Sequence, residues 1–126
     1  MVWDATTGER IYYQNGEVVA SDNAASGSVS LNSGCYVGKS YDDNRWLPGE
    51  ISELRIWTVQ RTQEQIASNM YTVDPTTDGL LAYWKFNEGA GNTVKDYSMY
   101  GNDGVAETDI VWPDGIEIPK INETEE

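Results

Sequence analysis

The sequence predicts an all-β protein, an antiparallel β-sandwich carrying one short helix, and three observations lead there. An Asn-Gly dipeptide sits between two β-prone runs, and only one segment carries helix-capping signals. Seven or eight short β-prone runs alternate with turn residues, and the 12 glycines are spread along the chain. A length of 126 residues fits one domain. The apolar share is 39%, with 5 Trp and 8 Tyr against 1 Phe, enough aromatic area for a packed core.

The first element is a hairpin. Glu9 to Gln14 and Glu17 to Ser21 flank Asn15-Gly16, the dipeptide that best supplies positive φ at both centres of a type I′ turn. A polar stretch from Asp22 to Ser28 precedes two further strand candidates, Val29-Ser30-Leu31 and Cys35-Tyr36-Val37-Gly38. Residues 39–49 form a polar loop containing Tyr41 and Trp46. Glu50 to Trp57 reads as a strand with Leu54 and Ile56 on one face and Glu53 and Arg55 paired on the other. The helix is expected from about Thr62 to Tyr71. Thr62-Gln63-Glu64-Gln65 is a capping box, Ile66 and Met70 form the buried stripe, and Asp74-Pro75 lies beyond its end. Gly79 to Phe86 is the strongest strand, with Leu80, Ala82, Trp84 and Phe86 as its core stripe. Thr93 to Asp96, Val105-Ala106 and Ile110-Val111-Trp112 complete the strand candidates. The expected division is a sandwich over residues 1–112 and an acidic tail or linker over 113–126.

Charge and composition exclude several function classes. The chain has 8 Lys+Arg against 21 Asp+Glu, a net charge of −13. That field repels a nucleic acid backbone or an anionic membrane surface, so neither is an expected partner. No apolar run reaches the roughly 20 residues of a membrane span, so membrane insertion is not expected. Met1 is followed by Val-Trp-Asp rather than by a basic and then an apolar segment, so no signal peptide is expected. Histidine is absent, which removes a His-containing triad, a His-ligated zinc and a His general base. Cys35 is the single cysteine, so no intrachain disulfide forms, and it is expected to be a small core residue.

The hairpin around Asn15-Gly16, the Tyr36-Val37-Gly38 run, and Gly49-Glu50-Ile51-Ser52-Glu53-Leu54-Arg55-Ile56-Trp57 followed by the capped helix resemble the laminin-G-like, concanavalin A-like jelly-roll family. Gly79 to Asp96, with Tyr83-Trp84-Lys85-Phe86 at its centre, is a second match. The resemblance covers most of residues 10–104 and implies a jelly-roll sandwich in an extracellular or cell-surface protein, its bacterial glycan-associated branch being nearest. In most members the Tyr-Trp-Lys-Phe segment opens the domain, whereas here it follows the helix. Two arrangements fit: a permuted sandwich, which is favoured, or the seam of two tandem modules. The family's full sandwich is also longer, so packing against a missing N-terminal part or a neighbouring chain is expected.

The resemblance also raises catalysis. Sandwich glucanases carry their carboxylates on one strand as Glu-x-Asp-x-x-Glu, and retaining hydrolysis needs two carboxyl groups about 5–5.5 Å apart. Here Glu50-Ile51-Ser52-Glu53-Leu54-Arg55 lacks the central Asp and the final Glu, and Glu50 and Glu53 fall on opposite strand faces. A non-catalytic binding or adhesion module is therefore expected, its partner a glycan or another protein. The alternative is a structural or protein–protein interaction domain, a surface spacer or phage particle decoration, with no glycan ligand. Glycan recognition uses an aromatic platform with amide or carboxylate hydrogen bonds. The candidates are Tyr41, Asp43, Asn44, Trp46, Tyr97 and Tyr100, with Tyr41 as the surface aromatic. Trp46, like Trp3, Trp57, Trp84 and Trp112, is also a core candidate. Calcium is the candidate cofactor, with oxygen ligands from Asp42, Asn87, Glu88, Asp96, Asn102 and Asp103, although the same residue types serve turns by bonding local backbone. Asn122-Glu123-Thr124 matches a glycosylation acceptor within the tail.

Overall fold

A computed structural model of the chain describes residues 1–29, 34–40, 44–107 and 110–114. The strands are β1 (Val2–Trp3), β2 (Glu9–Gln14), β3 (Glu17–Asn23), β4 (Leu54–Trp57), β5 (Leu80–Trp84), β6 (Thr93–Val94) and β7 (Gly104–Val105), with helix α1 (Gln63–Ser68) between β4 and β5. Among the described residues all strand pairings are antiparallel, in three sheets ordered β1-β2-β3, β4-β5 and β6-β7. Among the described residues no helix is long and apolar enough to cross a membrane.

The hairpin forms as its turn dictates. Asn15 has φ 52° and Gly16 φ 80°, and Gln14 pairs with Glu17 across the two-residue loop. The register shifts beyond Tyr12, with Tyr13 opposite Val18 and Tyr12 opposite Ala20, a bulge that turns the strand. Every residue of β3 is exposed, and it is an edge strand. The hairpin tip is held under α1: a Cβ on Gly16 would lie 2.9 Å from Ala67 Cβ and 3.1 Å from Ala67 Cα. Gly16→Ala is therefore expected to lower stability by about 2 kcal/mol, combining left-handed backbone strain with this contact. Gly89→Ala, at φ 72° with open space around it, should cost only the strain, about 1 kcal/mol. Urea unfolding midpoints of the two variants check the difference.

The capping box is present in full. Thr62 Oγ1 accepts from Gln65 N at 3.2 Å, and Gln65 Oε1 accepts from Thr62 N at 3.1 Å. The helix ends at Ser68, three residues earlier than expected, because Ser68 Oγ donates to Glu64 O and Asn69 Nδ2 to Gln65 O, side chains competing for the last carbonyls. Ile66 and Met70 are half-buried rather than fully so. β4 starts at Leu54, not Glu50, since Glu53 adopts φ 55° and breaks the extension.

The core lies on β5. Val73, Leu80 and Tyr83 form the buried cluster, with Trp57 and Tyr97 packed against it. Leu80 and Ala82 are buried as the alternation required, but Tyr83, at 0% exposure on the other face, is the most buried large side chain. Phe86 leaves the stripe because its φ of 56° ends the strand. Several other expectations are corrected. No strand is present at Val29, Cys35–Gly38 or Ile110–Trp112, and positive φ at Gly34 and Gly38 interrupts the second of these. Cys35 is exposed, not a core residue. Trp46 is 59% exposed rather than core, while Trp3, Trp57, Trp84 and Trp112 are half-buried. Leu31 and most of the tail, including Asn122, lie outside the described residues.

Candidate functional site

The loop from Gly38 to Leu47 is closed by short-range backbone bonds. Lys39 and Trp46 form an antiparallel bridge, Leu47 N donates to Gly38 O at 2.8 Å, and Ser40 N donates to Arg45 O at 2.8 Å. This closure brings Tyr36 and Trp46 to one cation. Lys39 Nζ lies 4.5 Å from the Tyr36 ring centre and 5.5 Å from that of Trp46. The ammonium also contacts both carboxylate oxygens of Glu107 at 3.0 Å, 68 residues away in sequence. Tyr36 and Trp46 nevertheless stay 55% and 59% exposed.

These residues form one wall of an open groove of about 970 Å³. Its apolar surface includes Ile51, Trp84, Phe86 and Trp112, and its polar rim includes Glu50, Asn102 and Asp103. Two indoles are fixed by hydrogen bonds: Trp84 Nε1 donates to Asn102 O at 2.9 Å and Trp112 Nε1 to Gly91 O at 3.1 Å. Aromatic faces surrounded by a few carboxylate and amide groups suit the apolar faces and hydroxyls of a sugar.

One edge of the groove is organised by Asp96, which is 3% exposed. Its Oδ1 accepts from Tyr83 N at 2.9 Å and Ser98 N at 2.8 Å; its Oδ2 accepts from Asn102 N and Ser98 Oγ, both at 2.8 Å. Burial alone would raise its pKa, but the Tyr83, Ser98 and Asn102 N–H groups and the Ser98 hydroxyl outweigh it, and the net shift is downward. The carboxylate is thus a fixed anion that gathers four donors from β5 and the following turn.

Of the remaining sequence candidates, Tyr41, Asp42 and Asp43 lie outside the described residues. Asn44 is exposed in the closed loop beside Trp46. Tyr97 packs on the core instead, 6.2 Å from Tyr83, with Lys85 and Lys95 over its ring. Tyr100 is exposed but does not line the groove. Glu88 Oε1 accepts from Lys95 N and Asp103 Oδ1 from Asp96 N, so both hold backbone, while Asn87 is exposed. Glu88 Oε2 is buried without a partner. Among the described residues no group of three or more Asp, Glu, Cys or His side chains is placed to hold a metal ion, and Asp42 of the expected calcium ligands lies outside those residues. Sequence reasoning missed Tyr36, Lys39 and Glu107. The only local signal was an aromatic and a lysine ahead of Trp46 on either side of Gly38, and nothing local points to Glu107.

A second, smaller cleft of about 480 Å³ lies between the hairpin tip, β4 and α1. Glu53 faces it, whereas Glu50 faces the groove, so the two carboxylates open onto different cavities. Glu53 Oε2 accepts from Arg55 Nη2 at 2.9 Å and from the Tyr83 hydroxyl.

Residues 1–67, just over half the chain, match the family model Laminin_G_3 of the concanavalin A-like lectin/glucanases superfamily. The chain belongs to this superfamily. Among solved structures, a "putative carbohydrate binding protein" from Bacteroides ovatus ATCC 8483 is similar at 33% identity with a TM-score of 0.70. The likeness covers 81% of this chain, so it extends beyond the family-model match, and 32% of that one. This superfamily member therefore spans about a third of the length of its structural relative. No curated protein matches it.

Proposed function

We propose that the chain is a non-catalytic carbohydrate-binding module of a secreted or surface-exposed protein, and that the groove takes a neutral glycan across Tyr36 and Trp46. The observation that carries this reading is the exposure of those two rings, at 55% and 59%, on the wall of a groove with a carboxylate and amide rim. Exposed large aromatics held by a closed loop are a costly feature unless something covers them. The superfamily and the name of the Bacteroides ovatus relative support a sugar as that cover. A net charge of −13 favours neutral over polyanionic glycans. The separation of Glu50 and Glu53 into different cavities supports binding without hydrolysis.

A glycan array probed with the folded chain tests this. The expected result is saturable binding to a defined set of neutral glycans, weakened about tenfold or more by Trp46→Ala and by Tyr36→Ala. Binding should be unchanged in EDTA; loss there would bring calcium and the Asp42 loop back into the site. A blank array from folded protein would favour the second reading, an interaction domain. The observation behind that reading is β3, an edge strand exposed along all seven residues with Val18 and Val19 half or more exposed.

A further inference from the structure

The smaller cleft carries a charge opposite to that of the molecule. Its titratable side chains with a fixed charge are Arg55, Arg61 and Glu53, so two cations face one carboxylate in a chain of net charge −13. Glu53 is committed to Arg55 and Tyr83. Arg61 is not: its guanidinium lies 4.1 Å above the Trp57 ring, and among the described residues it makes no ion pair or hydrogen bond. Stacking uses one face of the guanidinium and leaves the in-plane N–H fork open, the geometry that receives a carboxylate through two parallel hydrogen bonds. The stacked ring also holds the side chain still, which reduces the entropy lost when a ligand binds.

The rest of the wall matches a hydroxylated ligand. Asn15, Gln65 and Asn69 bring amides from the hairpin turn and from α1, and Tyr13 and Tyr71 bring aromatic faces. A volume of about 480 Å³ lies within the range of small-ligand sites. Arg55 adds an N–H at Nε that is buried without a partner, while its Nη1 donates to Asn69 O at 2.7 Å and ties the cleft floor to the helix end.

We infer that this cleft is a second ligand site, distinct from the groove, that takes a short saccharide bearing one carboxylate, a uronic acid, with Arg61 as the carboxylate receptor. The sugar part rests on the carbohydrate reading above; the carboxylate part rests on Arg61 alone. A polyanion is disfavoured because each further negative charge meets the field of the whole molecule.

The test is a titration of the full chain, followed by amide NMR shifts, with methyl glucuronoside and with neutral methyl glucoside. Methyl glucuronoside should shift resonances of Asn15, Gln65 and Asn69, and methyl glucoside should not. Arg61→Gln should weaken methyl glucuronoside binding at least tenfold, Arg61→Lys should retain part of it, and Trp46→Ala should leave it unchanged. Equal shifts with the neutral sugar, or full binding by Arg61→Gln, would overturn the inference. Retained glycan-array binding by Arg61→Gln separates a failure here from a failure of the groove, which Trp46→Ala reports independently.

Discussion

Asp96→Ala is expected to lower stability by about 3 kcal/mol at neutral pH, the loss associated with leaving several buried donors without a charged acceptor. The N–H groups of Tyr83, Ser98 and Asn102 and the Ser98 hydroxyl all end on this carboxylate at 2.8–2.9 Å. Asp96→Asn should cost roughly 1–2 kcal/mol, because its oxygen keeps two donors while its NH2 meets the Asn102 N–H. The pH dependence follows from the direction of the shift. The folded pKa lies below the ordinary 3.8, so the stabilisation is present in full above that ordinary value. It fades as pH falls through the lowered folded value. Urea midpoints for the parent and Asp96→Asn should therefore differ at pH 7 and converge in acid; a gap that persists unchanged would mean the carboxylate's charge is not what holds the turn. The backbone of the groove's Asn102 edge hangs on this residue, so the same variants should loosen the proposed glycan binding without removing an aromatic face.

Elements whose signals are local were legible in the sequence, and those built from distant contacts were not. Asn15-Gly16 sets its own φ angles, and Thr62 with Gln65 satisfies the helix start within four residues, so hairpin and cap follow from a few adjacent side chains. The strand faces were only partly legible. Alternation found Leu80 and Ala82 but passed over Tyr83, whose burial comes from Val73, Tyr97 and Glu53 rather than from its own strand. The candidate site depended still more on distance. Residues 39–49 were recognised as a polar loop with aromatics, yet the pairing of Tyr36 with Trp46 needs the Lys39–Trp46 bridge, and Lys39 needs Glu107. Asp96 stood among possible metal ligands because an acidic residue near glycines and asparagines has the same appearance whether it holds an ion or backbone N–H groups. Only the donors brought round by the turn at Ser98 and Asn102 distinguish the two.

Between the two cavities' carboxylates, Glu50 and Glu53, the second is held in a part-buried ion pair. Glu53 sits at φ 55°, a left-handed conformation that costs a non-glycine residue about 1 kcal/mol or more. That bend ends the extension before β4 and turns Glu53 into the cleft, away from Glu50. What holds it there is Arg55 on one side and the Tyr83 hydroxyl on the other. Arg55 also stacks 5.2 Å from the Tyr83 ring, joining the pair to the most buried side chain of the core.

Arg55→Met should consequently lower stability by about 3 kcal/mol, since it strands a largely buried carboxylate and frees the Asn69 carbonyl at the helix end. The side chains of Arg55 and Glu53 are 13% and 20% exposed, which places the pair beyond the regime of weak surface bridges. The double variant Glu53→Gln/Arg55→Met removes the stranded charge and should recover part of the loss, so that the two changes together cost less than their sum. Thermal or urea unfolding of the two single variants and the double closes the cycle. A coupling near zero would show that Arg55 acts only through the Asn69 carbonyl and the Tyr83 ring. A coupling of about 1 kcal/mol or more would show that the ion pair itself, at the left-handed Glu53, contributes to stability beyond what Arg55 does through its other contacts.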